Sequence, residues 1–192
     1  MIYIIVGPSH AGKTSFTVNS FIHNQECKFY KDIVGVTECD TCYLIGNYCI
    51  DKRAKGSDTI ARQEVKLIYN QIKKLLDFNN KKDIILEGDK ICSHPLLDNI
   101  QQLNEPCKLY YIVCDLDISI KRNQQFNSTV STSVLKRVYT KALNIYNDYH
   151  LIFDGEYINT NDIVDFTNFK LQADNLIFKS GYYANTPKQK LF

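Results

Sequence analysis

The run Ile2-Tyr3-Ile4-Ile5-Val6 leads without a break into Gly7-Pro8-Ser9-His10-Ala11-Gly12-Lys13-Thr14-Ser15. A continuous apolar, β-branched run is what a central parallel strand, covered on both faces, requires. Gly7, Gly12, Lys13 and Thr14 complete the pattern GxxxxGK followed by Ser or Thr, in the setting that pattern needs: a strand before it and a helix after it. Lys13 to His23 reads as that helix, with Phe16, Ser20 and Phe21 on neighbouring turns.

The loop has a definite chemistry. Glycines let backbone N–H groups wrap phosphate oxygens, and the helix N-terminus adds the positive end of a dipole. Lys13 is expected to reach the β- and γ-phosphates of a nucleotide and the Thr14 hydroxyl to ligate Mg²⁺. The nucleotide site is thus expected over Gly7, Pro8, Ser9, His10, Ala11, Gly12, Lys13, Thr14 and Ser15; His10 holds a variable position and is expected only to expose its imidazole.

A metal beside phosphates needs an acidic partner. The strand-like "DIILEGD" (83 to 89) places Glu87 and Asp89 at its carboxyl end, where ligands bind in parallel sheets. Glu87 is the first candidate and Asp89 the second; "LEG" here resembles the acidic strand end of uridine-kinase-like enzymes. "KLYYIVCD" (108 to 115) ends in Asp115, which reads better as a structural acid or helix cap.

The rest of the chain continues the alternation of strand and helix. A second strand is expected near Ile33 to Val36. "CYLIGNYCI" (42 to 50) is expected to be extended, pairing as a hairpin through a turn at Asp40 and Thr41. Ile60, Val65, Ile68, Ile72, Leu75 and Leu76 recur at helical spacing in one long helix, with Ser57 or Asp58 as its N-cap. Helices are also expected at Ser93 to Asn104, Asp117 to Phe126 and Ser133 to Tyr149. "HLIFDG" (150 to 155) reads as the last core strand, and "GYYANTPKQKLF" as an exposed tail (180–192). The order predicts a parallel sheet with helices on its faces.

At 192 residues the chain fits one domain. Its 44% hydrophobic and 23% charged residues are those of an ordinary globular protein. No stretch approaches the roughly 20 apolar residues of a membrane helix, and the amino terminus has no secretory leader, so a cytoplasmic location and no membrane partner are expected. The seven cysteines are odd in number and scattered, which suits reduced thiols better than a disulfide framework. Cys39 and Cys42 form a CxxC pair, but no second pair completes a zinc site. A net charge of +2 argues against a protein that grips duplex DNA through a general basic face.

Two local basic clusters remain. Lys121 and Arg122 precede the polar "NSTVST", and Lys136, Arg137 and Lys141 follow it, which makes residues 122–137 a candidate lid. Arg122 and Arg137 are the expected catalytic clamp, because a planar guanidinium binds phosphate through two donors. Lys52, Arg53 and Lys55 lie in "IGNYCIDKRAKGSD" (45 to 58), beside Tyr48 and Asp58. There Asp58 is expected to accept a proton from an acceptor's hydroxyl; were the acceptor a base within DNA, Lys52, Arg53 and Lys55 would hold its backbone and Tyr48 would stack on the base. Glu38 and Asp40 are the reserve acids.

What is missing narrows the class. No NKxD-type motif of GTPases follows a later strand, and the extra segments of large motor and transporter ATPases are absent. A small chain with cations around a polar lid points to a kinase.

The phosphate loop, "LIGNY", "GSDT" before a helix, "ILEGD" and "LKRVYTKALNI" (135 to 145) together resemble phage kinases that act on DNA bases, of the 5-hydroxymethyl-deoxyuridine DNA kinase type. The likeness extends over roughly residues 1 to 145. It implies a nucleoside-monophosphate-kinase-like, three-layer α/β P-loop fold with a helical lid, and transfer of the γ-phosphate of ATP, with Mg²⁺, to a base hydroxymethyl group in DNA. Lys13 and Thr14 carry over as nucleotide and metal contacts, Glu87 and Asp89 as the acidic pair, and Asp58 as an acceptor-site residue. Two other readings stand beside it: a kinase of free nucleosides or nucleoside monophosphates, and a nucleotide-dependent switch or binding module. Oligomeric state has no signature in the sequence.

Overall fold

The computed structural model describes residues 1–49, 56–78, 81–126, 128 and 130–163, and the backbone of 177–179. Strand β1 (Ile2–Val6) is the centre of a mixed sheet. Its neighbours are β5 (Asp83–Glu87) and β6 (Cys107–Val113), both parallel to it, in the registers Ile4 to Leu86 and Ile4 to Leu109. Beyond them lie β4 (Cys42–Ile45) and β7 (Gly155–Asn159), again parallel. Antiparallel β3 (Gly35–Cys39) and β2 (Cys27–Lys31) extend one edge, and β8 (Ile177–Lys179) extends the other. The full order is β2-β3-β4-β5-β1-β6-β7-β8.

Alternation along β1 divides the core. Ile2, Ile4 and Val6 face a cluster packed by α2 (Ile68–Asp77), α3 (His94–Gln101) and α5 (Thr132–Tyr149), through Ile68, Ile72, Leu97, Ile100, Ala142 and Ile145. Ile5 faces the other cluster, where Phe16 of α1 (Lys13–Thr17) and Ile118 of α4 (Leu116–Gln125) pack with Ile85 and Ile112. Helix, sheet and helix make the three layers of an α/β fold, because a parallel strand must be covered on both faces. Among the described residues no helix is long and apolar enough to cross a membrane.

Three expectations are corrected, and one strand is added. The expected long helix is broken: Ser57–Thr59 is a separate turn, Ile60 is extended and buried, and helical geometry resumes at Arg62, one residue after Ala61. The cap lies there, where the Ala61 N–H donates to the Glu64 carboxylate at 3.0 Å; neither Ser57 nor Asp58 starts α2. The segment 150 to 155 is not a strand. His150 ends α5, Leu151 projects into solvent, and β7 starts only at Gly155, whose N–H returns to His150 O. Edge strand β2 went unrecognised, since its residues lack a buried face. Finally, Cys27 and Cys39 are bonded to each other. They stand opposite in the β2–β3 register, with Cα atoms 4.3 Å apart, so the expectation of reduced thiols fails for this pair, whereas Cys42 is a free, buried thiol. The β3–β4 hairpin itself turns at Asp40 and Thr41 as expected. The tail 180–192 lies outside the described residues.

Candidate active site

The loop after β1 has the backbone its sequence demands. Gly12 adopts φ 94°, a left-handed geometry that a side chain disfavours, and α1 begins at the next residue. The buried Lys13 Nζ donates to Pro8 O at 2.8 Å, so the ammonium spans the loop. The Thr14 hydroxyl faces the Glu87 carboxylate at 3.3 and 3.4 Å. Glu87 ends β5, the parallel neighbour of β1, which is why two residues so far apart in sequence meet.

Glu87 is 4% exposed. Its other oxygen contact is Tyr48, whose hydroxyl donates to Oε2 at 2.8 Å. Burial pushes the Glu87 carboxyl up, while the Lys13 ammonium and the Tyr48 hydroxyl pull it back down. The same burial, with Glu87 beside it, pushes the Tyr48 hydroxyl well up. Tyr48 is 8% exposed and its ring packs against Gly56, so it supports the carboxylate and offers no face for stacking a base. A Cβ at Gly56 would lie 2.9 Å from both Glu87 Oε2 and the Tyr48 ring; position 56 is glycine because the chain must pass this close. "LIGNY", "GSDT" and "LEGD" therefore meet around one carboxylate.

A cavity of 460 Å³ opens over the loop. Lys13, Thr14, Glu87, Asp89 and Asp58 line it, with His10 and Phe126 near Ser128 and Val130. Asp58 is exposed, projecting from the turn after Gly56, and Asp89 is half-buried. Glu38 is ion-paired with Lys82. Asp115 occupies the N-cap position of α4, and its N–H donates to Asn161.

The cations divide. Arg122 is 7% exposed, and its guanidinium donates to Thr160 O at 2.6 Å, Ile163 O at 2.8 Å and His10 O at 3.3 Å. It ties α4 to the phosphate loop and to the turn after β7, a brace and not the expected clamp. Arg137 is exposed on α5 and lines a neighbouring cavity. Lys52, Arg53 and Lys55 lie outside the described residues.

Asn123 takes a part in the site that no sequence pattern marks. Its Oδ1 lies 2.9 Å from His10 Nε2 and its Nδ2 donates to Val130 O at 3.0 Å, linking the loop to the α4–α5 connection. His10, at φ 61°, also stacks on Phe126. Burial lowers the His10 imidazole below its usual range, with Lys13 and Arg122 adding to this and Asn123 opposing it. A polar residue on a polar helix face carries no signal of such a role.

No protein-family model matches this sequence, and no curated protein does. Among solved structures, a deoxyadenosine kinase from M. mycoides with dCMP and a flexible dCDP bound aligns over 92% of this chain and 98% of its own, at 11% identity and a TM-score of 0.46. The same enzyme with bound dATP aligns over 92% and 99%, at 14% identity and a TM-score of 0.41.

Proposed function

We propose that this chain is a P-loop kinase that transfers the γ-phosphate of ATP to a hydroxyl of a nucleotide-type acceptor, and that the acceptor is the hydroxymethyl group of a modified pyrimidine in phage DNA. The observation that carries the kinase reading is the convergence of Lys13, Thr14, Glu87, Asp89 and Asp58 on one cavity above the phosphate loop. The meeting of "LIGNY", "GSDT" and "LEGD" around Glu87 supports the DNA-kinase reading, because these are the segments that carry the resemblance.

The donor set fits Mg²⁺. Among the described residues no group of three or more His, Cys, Asp or Glu side chains is gathered to hold a metal. What the loop offers is one hydroxyl with one or two carboxylates, the sparse set that suits an ion keeping several waters and held mainly by phosphates. Thr14 and Glu87, with Asp89, would hold it. When bound it neutralises charge building on the β- and γ-phosphate oxygens.

The chain's own residues do the rest. Loop N–H groups and Lys13 hold the donor in line. Asp58 takes the proton of the acceptor hydroxyl as its oxygen bonds to the γ-phosphorus and the bond to the β–γ bridging oxygen breaks, releasing ADP. Phe126, Ser128 and Val130 line the same cavity and are placed to keep water from the transfer.

The modest net charge favours a second reading, a kinase of free nucleosides or nucleoside monophosphates. Labelled ATP with Mg²⁺, offered hydroxymethylated DNA, unmodified DNA and free pyrimidine nucleosides and monophosphates, separates the two. Label confined to hydroxymethylated DNA is expected; label confined to the free compounds moves the enzyme to the second reading. Lys13→Ala is expected to abolish transfer and keep the fold, and full activity in that variant would remove both readings.

A further inference from the structure

Among the described residues four non-glycines sit at positive φ: His10, Asn24, Asn104 and Asp154. Asn and Asp tolerate that conformation because their short side chains bond locally. His10, at φ 61°, bonds instead to Asn123 of α4, 113 residues along the chain. A side chain held in this region costs energy that its surroundings must offset, and such positions gather at functional sites.

Asn123 is buried, and its polar atoms are shared between two segments. Its main-chain O accepts from the Ser128 N–H at 3.0 Å, and its Nδ2 donates to Val130 O at 3.0 Å. A carbonyl only accepts, so the amide faces Val130 through Nδ2 and leaves Oδ1 to accept from His10 Nε2 at 2.9 Å. The imidazole lies along the Phe126 ring, with centroids 6.1 Å apart and planes 14° apart. Ser119 of the same helix donates to Ser9 O at 2.7 Å, which fixes α4 on the loop. Phe126, Ser128 and Val130 are the part of the loop cavity's lining that follows α4. Each of the three is tied to His10 or to Asn123.

A donor held in the loop can lose its γ-phosphate to either of two oxygens. One is the acceptor hydroxyl. The other is water, whose oxygen bonds to the γ-phosphorus and gives up a proton as the bond to the β–γ bridging oxygen breaks, releasing ADP and phosphate. We propose that His10 and Asn123 are positioning residues that set this choice: they hold Phe126, Ser128 and Val130 against the phosphate loop as a wall that keeps water from the donor. The inference rests on the kinase reading for the acceptor, whereas the wall belongs to the loop and to α4. His10 is thus a residue of the loop whose side chain serves the cavity's far side, and Asn123 serves the site without lining it.

The test measures hydrolysis of ATP and transfer of its label side by side, with the full chain, Mg²⁺ and the acceptors named above. Asn123→Ala is expected to raise hydrolysis relative to transfer by about tenfold or more, with little change in the KM for ATP. His10→Gly removes the imidazole from a backbone that suits glycine, so it carries the same test should Asn123→Ala fail to fold. His10→Gln, whose amide nitrogen can stand in for Nε2, is expected to restore the natural ratio. The two losses combined are expected to exceed the larger single effect little, because the contact is shared. The chain has no tryptophan, so Phe126→Trp supplies a single fluorophore in the wall; its quenching by acrylamide is expected to rise when either loss is added. Hydrolysis and transfer that fall by one factor, a ratio that does not move, fully additive effects or unchanged quenching overturns the inference. Hydrolysis that rises in the variants of a chain transferring label to no acceptor would uphold the wall and remove the kinase reading instead.

Discussion

At the level of single residues, Tyr48 and His10 show how far a side chain's role depends on what buries it. Tyr48 was expected at the acceptor, yet its hydroxyl holds Glu87 at 2.8 Å. Tyr48→Phe removes one donor from a buried carboxylate and lets it rotate. Groups that orient a metal's ligand typically matter by about 10- to 100-fold, so the Mg²⁺ concentration for half-maximal transfer is expected to rise by roughly that factor, measured by titrating Mg²⁺ at saturating ATP. His10 gives a pH prediction. Its folded pKa lies below its unfolded value, so below about pH 6.5 the unfolded chain binds the extra proton more readily and stability falls with acidification; above that range the contribution is fully present. Urea midpoints measured from pH 7.5 to 5 are expected to fall more steeply for the natural chain than for His10→Gln. Equal slopes would mean that His10 is not held neutral. The loop glycines, Lys13 and Thr14 were legible in sequence because the loop's backbone and chemistry are local. Tyr48 was not, because its partner lies 39 residues away at the end of β5.

Among the elements, strands β1, β5 and β6 were readable because each is an apolar run buried on both faces, and Glu87 and Asp89 were readable as acids at such a run's end. Other elements turned on contacts that no local pattern encodes. Helix α2 starts late because Glu64 caps Ala61 and Ile60 goes inward. The apolar Leu151 and Ile152 that mimicked a strand face solvent. Arg122 belongs here too, since carbonyls 38 to 41 residues away engage it. Arg122→Ala leaves those buried acceptors without donors, at a cost of roughly 1–3 kcal/mol for each such group. Denaturant unfolding is expected to show a loss of at least about 1 kcal/mol, and an unchanged midpoint with a lower transfer rate would restore Arg122 to the phosphates.

For the molecule as a whole, the fold class followed from the alternation of strands and helices, whereas the sheet's outer edge did not. The Cys27–Cys39 bond depends on a register that places residues 12 apart face to face, and cysteine counting does not reveal register. A closed loop of that size stabilises by about 3 kcal/mol in the chain-entropy description. For a domain of this length that corresponds to roughly 6–12 °C in Tm. Melting with and without a reductant, and of Cys27→Ser, is expected to show a drop of this order; no shift would mean the bond constrains little of the unfolded chain. The close passage of Gly56 past Glu87 and the Tyr48 ring has a bearing on the protein's history. Position 56 has no freedom to drift even if position 48 loses its ring, because a Cβ there would still lie 2.9 Å from Glu87 Oε2 and the backbone holds φ 46°. In a randomised library under selection for activity, glycine should therefore persist at position 56 whatever residue position 48 comes to hold, so that one site records the ancestral geometry while its neighbour is free to vary.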